Sequence, residues 1–259
     1  MAFAETFLNV RGTKIQMLKG GSGDPLLYLH SAGGEVAWLP FFEQLAQQYT
    51  VYLPGHPGFC QSEGLEKIDT IEDLVFHYLN VMDHLGLDKP YMAGLSLGGW
   101  IAAEFATRHA HRLRKLALIN AAGLRVPGAP LADIFAATPA ETRKLVFYAA
   151  DSTLAYTFVP DVPSPEVVEN MMKARQAAAR VGWNPYFCNL KLRDRLYRIT
   201  VPTLIVWGDS DRFIPFAHGN AYNEGIAGSK LVRIEQCGHA PPLEKPEETV
   251  KALTEFFRA

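Results

Sequence analysis

With 259 residues, 48% of them hydrophobic, the chain can bury one large core or a core with a smaller inserted unit. Its formal net charge is only −2 and no block of five or more like charges occurs, which argues against nucleic acid and anionic lipid as partners. The three cysteines, Cys60, Cys188 and Cys237, lie far apart and form no CxxC pair, so neither a disulfide framework nor a structural zinc site is predicted.

No segment of the sequence has the pattern of a leader or a membrane anchor. The N-terminus lacks a basic stretch followed by a long apolar one, and no apolar run reaches the roughly 18 residues that span a bilayer. We therefore expect a cytoplasmic protein in a reducing compartment, without a membrane partner.

Short apolar runs alternate with amphipathic segments along most of the chain. In chain order the predicted elements are the strands TFLNV, KIQML and PLLYLH, the helix LPFFEQLAQQ, the strand YTVYLPG, the helix TIEDLVFHYLNVMDHLGL, the strand KPYMAGLS, the helix LGGWIAAEFATRHA, the strands RKLALINAAG, VPTLIVWGD and SKLVRIEQCG, and the helix PEETVKALTEFFRA. The long second helix is expected to start near Thr70 and end at Gly86, and Pro246 is placed to start the last helix. Strands separated by helices predict a mostly parallel sheet of eight strands with helices on both faces.

Residues 124–199 interrupt this alternation. They contain seven prolines, no strong strand signal and two helix-like segments, AETRKLVFYAA and PEVVENMMKARQAAAR. We expect these residues to form a helical cap, inserted into a core domain that consists of residues 1–123 and 200–259.

The stretch AGLSLGGW places Ser96 in a G-x-S-x-G motif between a predicted strand and a predicted helix. In such a turn the backbone of the serine is strained, and side chains at Gly94 and Gly98 would clash with the adjacent helix and strand. The start of the helix also directs N–H groups and the positive end of its dipole toward a developing oxyanion. The motif therefore predicts that Ser96 is a nucleophile at the carboxyl edge of the sheet.

A serine hydroxyl is a weak nucleophile and needs a base, for which eight histidines compete. Four lie on helical segments and are expected on solvated faces: His77, His84, His109 and His111. Three lie in predicted loops: His30, His56 and His218. The eighth, His239, follows the last predicted strand in EQCGHAPPLEKPEE, where a glycine turn sets it at the carboxyl edge of the sheet. We predict that His239 is the base.

The acid that orients the base is expected in WGDSDRFIP, which follows the preceding strand and offers Asp209 and Asp211. The order Ser, Asp, His along the chain is the order expected for a triad on a doubly wound sheet. Asp211 is preferred, because Gly208 and Asp209 can supply the bend while Asp211 stands at the loop tip. The alternative is that Asp209 is the acid and Asp211 a surface residue.

An oxyanion also needs a second hydrogen-bond donor. The segment LYLHSAGGE supplies a strand that ends in a tight loop at the same sheet edge, so the N–H groups of Ala32 and Leu97 are the predicted oxyanion hole. His30 and His56 are expected to shape their loops rather than move protons. Such a site requires neither a metal nor a cofactor.

The chain resembles the α/β-hydrolase superfamily over nearly its whole length. The landmarks are LYLHSAGG, LPGHPGFCQS, GLSLGGWIAAEFA, INAAG, VPTLIVWGDSDRFIP and CGHAPPLEKPEE, in this order. The resemblance implies that Ser96 is the nucleophile, Asp211 the acid, His239 the base, and Ala32 and Leu97 the oxyanion donors. Ser31 departs from the family, which more often has glycine after the histidine. A serine nucleophile also argues against dehalogenase and epoxide hydrolase chemistry, for which the resemblance would require aspartate.

These residues predict a serine hydrolase, most simply a carboxylesterase that acts on esters of small to medium uncharged acids through an acyl-enzyme. Trp38 and Phe213 lie near functional loops and are predicted pocket walls, as are Phe147 and Trp183 of the cap. The remaining aromatic candidates in the cap suit its own core equally well: Phe135, Tyr148, Tyr156, Phe158, Tyr186 and Phe187. The partner is a small-molecule ester, and the sequence is compatible with a monomer or a homodimer.

Two other functions remain open. The acid loop WGDSDRFIP also resembles that of carbon–carbon bond hydrolases acting on ring-cleavage products, and Arg175 could bind a substrate carboxylate as a cap arginine does in them. Against this, Leu95 and Ala240 stand where those enzymes usually carry asparagine and tryptophan. The other alternative is a ligand receptor on the same fold with an inert or slow triad.

Overall fold

A computed structural model describes residues 3–259 of the chain. Its eight strands are β1 Phe3–Val10, β2 Thr13–Gly20, β3 Asp24–Leu29, β4 Tyr49–Pro54, β5 Tyr91–Leu95, β6 Lys115–Ile119, β7 Thr203–Gly208 and β8 Lys230–Ile234. They form one sheet in the order β1-β2-β4-β3-β5-β6-β7-β8. β2 is antiparallel to both β1 and β4, and the pairs from β4 to β8 are all parallel. The predicted eight-stranded, mostly parallel sheet is confirmed.

The nine helices of the described residues are α1 Pro40–Leu45, α2 Ile71–Leu85, α3 Leu97–His109, α4 Pro139–Val146, α5 Thr153–Phe158, α6 Pro165–Gly182, α7 Ala217–Gly225, α8 Pro241–Glu244 and α9 Pro246–Arg258. The predicted ends of α2 are confirmed: Thr70 and Asp73 form a capping box at its start, and Gly86 ends it with a φ of 67°. Pro246 opens α9 as expected.

Two apolar clusters cover the two faces of the sheet. One joins α2, α3 and α7 to the sheet and includes two buried indole rings, Trp100 and Trp207. The other joins α1 and α9 to the opposite face, with Phe41 and Phe257 at its centre. A sheet of parallel strands is covered by helices on both faces, because its strands carry apolar side chains on both faces. The carboxyl edge between the two layers is where the loops that carry the site meet.

The sequence pattern does not predict α7. His218, which the pattern places in a loop, lies in this helix. Its sequence, AHGNAYNEG, includes two glycines and two asparagines and has low helix propensity. The helix forms because His218, Ala221 and Tyr222 are buried on one face of it, in contact with the sheet. Tertiary packing therefore decides the local structure here.

Residues 124–199 contain α4, α5 and α6, followed by a turn of 3₁₀ helix over Arg193–Arg198. Ala174, Ala177 and Ala178 of α6 are buried in the cluster that also holds α2 and α3. Small side chains let the helix approach the core closely. The division into a core and an inserted cap stays our proposal for the domain organisation. Within residues 3–259, no helix combines the length and the apolar character needed to cross a membrane.

Candidate active site

Ser96 lies in a sharp turn between β5 and α3, with φ 56° and ψ −113°. Its N–H donates to the Ile119 carbonyl of the neighbouring strand at 3.0 Å, and its own carbonyl accepts from Trp100 and Ala122. These backbone bonds hold a conformation that a residue with a side chain rarely adopts. The Ser96 hydroxyl is buried and, among the described residues, has no hydrogen-bond partner. It is therefore free to meet a substrate or a base.

The two glycines of the motif are required by close backbone approaches. A Cβ at Gly94 would overlap the carbonyl of Gly98, and a Cβ at Gly98 would overlap the Leu29 carbonyl at the end of β3. The predicted clash with the adjacent helix and strand is confirmed. The same contact brings the first turn of α3 against the end of β3.

His239 and Asp211 meet at the carboxyl edge of the sheet. His239 Nδ1 lies 2.7 Å from Asp211 Oδ2, and both side chains are almost fully buried. The other carboxylate oxygen, Oδ1, accepts the N–H groups of Phe213 at 2.9 Å and Ile214 at 2.8 Å. In the Ser-His-Asp triads of serine hydrolases, a carboxylate in this position fixes the orientation of the imidazole and stabilises the imidazolium that forms during catalysis.

Asn120 is a site residue that the sequence analysis did not identify. It follows β6 with a φ of 40°, is fully buried, and donates from Nδ2 to Asp211 Oδ2 at 2.7 Å. Its Oδ1 accepts the N–H of Gly208 at 3.2 Å. The only available signal was its place in INAAG at the end of a strand, which shares the sheet edge with the predicted acid.

The structure does not bring Asp209 to His239. The Asp209 carboxylate instead accepts from the Ser210 hydroxyl at 2.8 Å and from Arg233 Nη2 at 3.1 Å. These hydrogen bonds keep the pKa of Asp209 below its ordinary value, despite the opposing effect of its partial desolvation. Of the two candidate acids, Asp211 is therefore the one in contact with the predicted base.

The predicted oxyanion donors, Ala32 and Leu97, follow the ends of two neighbouring strands. Ala32 lies in the loop after β3, and Leu97 is the first residue of α3 after β5, which pairs with β3. The first N–H groups of a helix have no acceptor within it, so the N–H of Leu97 is available to an anion. This placement suits an oxyanion hole between the two loops.

A buried network fixes the loop that carries Ala32. The His30 and His56 rings lie with their centroids 3.7 Å apart and their planes tilted by 31°, and the His56 backbone N–H donates to His30 Nε2 at 2.9 Å. His30 Nδ1 must then carry the proton, which it donates to the Ser31 carbonyl at 2.7 Å. His56 Nε2 donates to the His30 carbonyl, and the Tyr78 hydroxyl donates to His56 Nδ1. Both rings are thus bonded within the network, and His30, whose Nε2 accepts a backbone N–H, is neutral.

Burial explains why this network holds no charge. Desolvation lowers the pKa of His30 to about 4, although its bond to the Ser31 carbonyl acts in the opposite direction. Desolvation also lowers the pKa of His56 well below its ordinary value, and the neighbouring His30 lowers it further. Neutral rings are therefore the native form near neutral pH.

Ser31, the departure from the family pattern, connects the oxyanion loop to a carboxylate. Its hydroxyl lies 2.7 and 2.8 Å from the two oxygens of Glu35, and the same hydroxyl oxygen accepts the Gly33 N–H at 2.9 Å. A negative charge is thus present in the loop that carries one predicted oxyanion donor.

The predicted substrate contacts are not all brought to the catalytic groups. Phe213 is buried, with its ring edge-on to His239 at a centroid distance of 4.9 Å. Phe147 is buried in the segment after α4, where the Val146 carbonyl accepts the N–H of His239 at 2.6 Å. Trp183 is 65% exposed on the outside of the cap.

Two further predicted contacts point elsewhere. The Trp38 ring stacks on Phe3 of β1 at 5.2 Å, and its Nε1 donates to Glu43 at 2.7 Å. Arg175 is exposed on α6, and its guanidinium donates to the Ala137 carbonyl at 3.4 Å. Neither contact involves a triad residue, so their predicted roles gain no support from this geometry. The spacing of residues in the sequence does not define how α6 is rotated about its own axis. This rotation decides the direction of the Arg175 side chain.

A family model for the alpha/beta hydrolase fold matches residues 24–246. The chain belongs to the α/β-hydrolase family. It is 28% identical to a 2-hydroxy-6-oxo-6-phenylhexa-2,4-dienoate hydrolase of Comamonas testosteroni, over 93% of this chain and 90% of that protein. The same comparison supports classification as a hydrolase.

Solved structures agree with this assignment. A crystal structure of a membrane phospholipase A, described as a bacterial virulence factor, superposes with a TM-score of 0.81 at 27% identity, covering 99% of this chain and 86% of that one. A 2-hydroxy-6-oxo-6-phenylhexa-2,4-dienoate hydrolase of Rhodococcus sp. strain RHA1 also has a TM-score of 0.81, at 23% identity, covering 100% of this chain and 99% of that one. At that identity the second likeness concerns the fold alone.

Proposed function

We propose that this protein is a serine-dependent carbon–carbon bond hydrolase of vinylogous 1,5-diketo acids, the class of product that ring cleavage of aromatic compounds yields. The observation that carries the proposal is the full-length similarity to the Comamonas testosteroni dienoate hydrolase, 28% identical over 93% of this chain. The arrangement of Ser96, His239 and Asp211 supports the chemistry, because nucleophile, base and acid follow strands β5, β8 and β7 at one edge of the sheet, and the base contacts the acid.

In the proposed reaction His239 takes the proton of Ser96, whose oxygen attacks the ketone carbon next to the bond to be broken. The N–H groups of Ala32 and Leu97 stabilise the tetrahedral oxyanion. In the diketo tautomer, where the leaving carbon is a CH₂ group, the carbon–carbon bond then breaks, its electron pair is delocalised as a dienolate over the conjugated keto acid, and His239 returns a proton to that carbon. Water, activated by His239, hydrolyses the acyl-enzyme and restores Ser96.

Ester hydrolysis is the second candidate, and particular residues favour it. Leu95 and Ala240 differ from the pattern of the carbon–carbon hydrolases, and Arg175 bonds to the Ala137 carbonyl, turned toward the surface. Glu35 adds a negative charge in the oxyanion loop. A neutral ester suits these residues better than a substrate that must present a carboxylate.

The test compares two reactions in the wild type and in Ser96→Ala. One is turnover of a 2-hydroxy-6-oxo-dienoate, the enol form of the vinylogous diketo acid. The other is release of p-nitrophenol from acyl esters of two to twelve carbons. We expect the diketo acid to be hydrolysed with the higher kcat/KM and Ser96→Ala to lose several orders of magnitude on both substrates. Faster Ser96-dependent turnover of the esters would establish the second candidate. Binding of either compound without multiple turnovers would identify a receptor instead.

A further inference from the structure

A five-residue segment at the end of α4, Lys144–Tyr148, touches both loops that carry the proposed acid and base. We call it the seat segment. Arg212, the residue after the proposed acid, donates from Nη1 to the carbonyl of Lys144 at 3.1 Å and to that of Phe147 at 3.2 Å. The acid loop is therefore bonded to the backbone of the seat segment.

The loop of the proposed base is bonded to the same segment twice. The backbone N–H of His239 donates to the Val146 carbonyl at 2.6 Å. The second link runs through the Glu244 carboxylate, whose Oε1 accepts the Gly238 N–H at 2.9 Å and whose Oε2 accepts the Tyr148 N–H at 2.7 Å. One carboxylate thus joins the residue before the base to the cap.

The fit between the two segments is tight. A Cβ at Gly238 would overlap the Val146 carbonyl and would lie 2.9 Å from both the Tyr148 nitrogen and Glu244 Oε1. On its outer side the seat segment borders an open cleft of about 740 Å³, lined in part by Lys144, Tyr148 and Arg212. Solvent lies on that side, so the segment is held from its other side, by the buried Phe147 ring and by the bonds to the two catalytic loops.

We propose that Glu244 is a positioning residue that ties His239 to the seat segment of the cap. The base is then held in place by the cap as well as by Asp211, and displacement of the cap loosens the base. This inference rests on the proposed function, because it takes His239 as the base. Glu244 itself contacts two backbone N–H groups and need not touch the substrate.

The test uses variants that break the link from either end. Glu244→Gln keeps the size of the side chain but replaces one accepting oxygen by a donating NH₂ group. Tyr148→Pro removes the donor N–H, and Phe147, with φ −106° and ψ 142°, already has the extended backbone that a following proline requires. Glu247→Gln, at an exposed residue of the next helix, is the matched control.

We expect Glu244→Gln to lower kcat about tenfold while KM stays within about twofold, since the base is displaced but the substrate pocket is not. The double variant with Tyr148→Pro should lose no more than the worse single variant, because both changes break the same bond. Amide hydrogen exchange, measured without substrate, should accelerate in both peptides 144–149 and 236–242 of Glu244→Gln. Glu247→Gln should change none of these quantities.

An unchanged kcat together with unchanged exchange in Glu244→Gln overturns the inference, and so do fully additive losses in the double variant. If Tyr148→Pro does not fold, kcat and exchange in Glu244→Gln still decide. Lack of Ser96-dependent turnover in the wild type overturns the proposed function instead. The exchange measurement then still tests whether Glu244 ties the two segments together.

Discussion

The Asp211 carboxylate is held by four donors before any substrate arrives: the N–H groups of Phe213 and Ile214 on Oδ1, and His239 and Asn120 on Oδ2. Asp211→Asn replaces one of these oxygens by an NH₂ group, which can no longer fix the tautomer of the imidazole. We expect kcat to fall on the order of 10³–10⁴-fold. Turnover of the preferred substrate, measured against the wild type at saturation, checks this.

Asp209→Asn is the matched control, two residues away. It removes a partly exposed ion pair with Arg233, so kcat should stay within about twofold and the free energy of unfolding should fall by no more than about 1 kcal/mol. The opposite pattern, with activity lost in Asp209→Asn and kept in Asp211→Asn, would show that the acid had been assigned to the wrong residue.

At the residue scale, a short local motif is enough to predict that a side chain follows a strand at the sheet edge. Ser96, Asp211 and His239 each follow a strand in a short motif, and the structure brings Asp211 and His239 into contact. Asn120 contacts the same carboxylate, but it does so through the pairing of β6 with β7, which no local pattern encodes. The direction of Arg175 depends on how α6 packs, which is equally non-local.

At the scale of elements, the first turn of α3 lies so close to the backbone at the end of β3 that only glycine fits at position 98. A Cβ at this position would overlap the Leu29 carbonyl and lie 2.6 Å from the His30 carbonyl, and neither backbone group can rotate away. We expect Gly98→Ala to lower the free energy of unfolding by about 2–3 kcal/mol. It should also lower kcat more than tenfold, because α3 shifts relative to the loop of Ala32.

Gly86→Ala provides the comparison for that prediction. Gly86 ends α2 with a φ of 67°, and a Cβ there would meet open space. Alanine should therefore cost about 1 kcal/mol of backbone strain, without any loss of kcat. Chemical denaturation and steady-state kinetics measure both variants, and equal effects at the two glycines would contradict the close approach at Gly98.

Helices with a clear apolar stripe and capping residues could be predicted, whereas α7 could not, because its burial against the sheet outweighs its weak propensity. The position of His77 was predicted wrongly for a related reason. It was expected on a solvated face of α2, but it is buried, and its Nε2 has no partner among the described residues. Periodicity identifies one apolar stripe but does not show how far neighbouring elements cover the helix beyond it.

At the scale of the whole molecule, the alternation of strands and helices was sufficient to predict a covered, mostly parallel sheet. The order of strands and the packing of residues 124–199 against the rest of the chain were not readable in this way, because they depend on contacts between distant segments. The three small residues Ala174, Ala177 and Ala178 show this, since they place α6 in the apolar cluster that also contains α2 and α3. The assembled protein also buries five histidines, which are His30, His56, His77, His218 and His239.

Two of these buried histidines make the stability of the fold depend on pH. Burial lowers the pKa of both His30 and His77 to about 4, so the unfolded chain binds protons more readily than the native one. This stability is fully present well above pH 6.5 and declines as the pH falls toward 4, with each of these two groups costing about 2.5 kcal/mol by pH 4.5. Urea denaturation from pH 7.5 to 4.5 should show this decline in the free energy of unfolding, and His77→Leu should make the decline shallower.

His84→Gln, at an exposed site on the same helix, is the matched control and should leave the decline in the free energy of unfolding unchanged. An equal slope in His77→Leu and the wild type would mean that His77 titrates as it does in the unfolded chain.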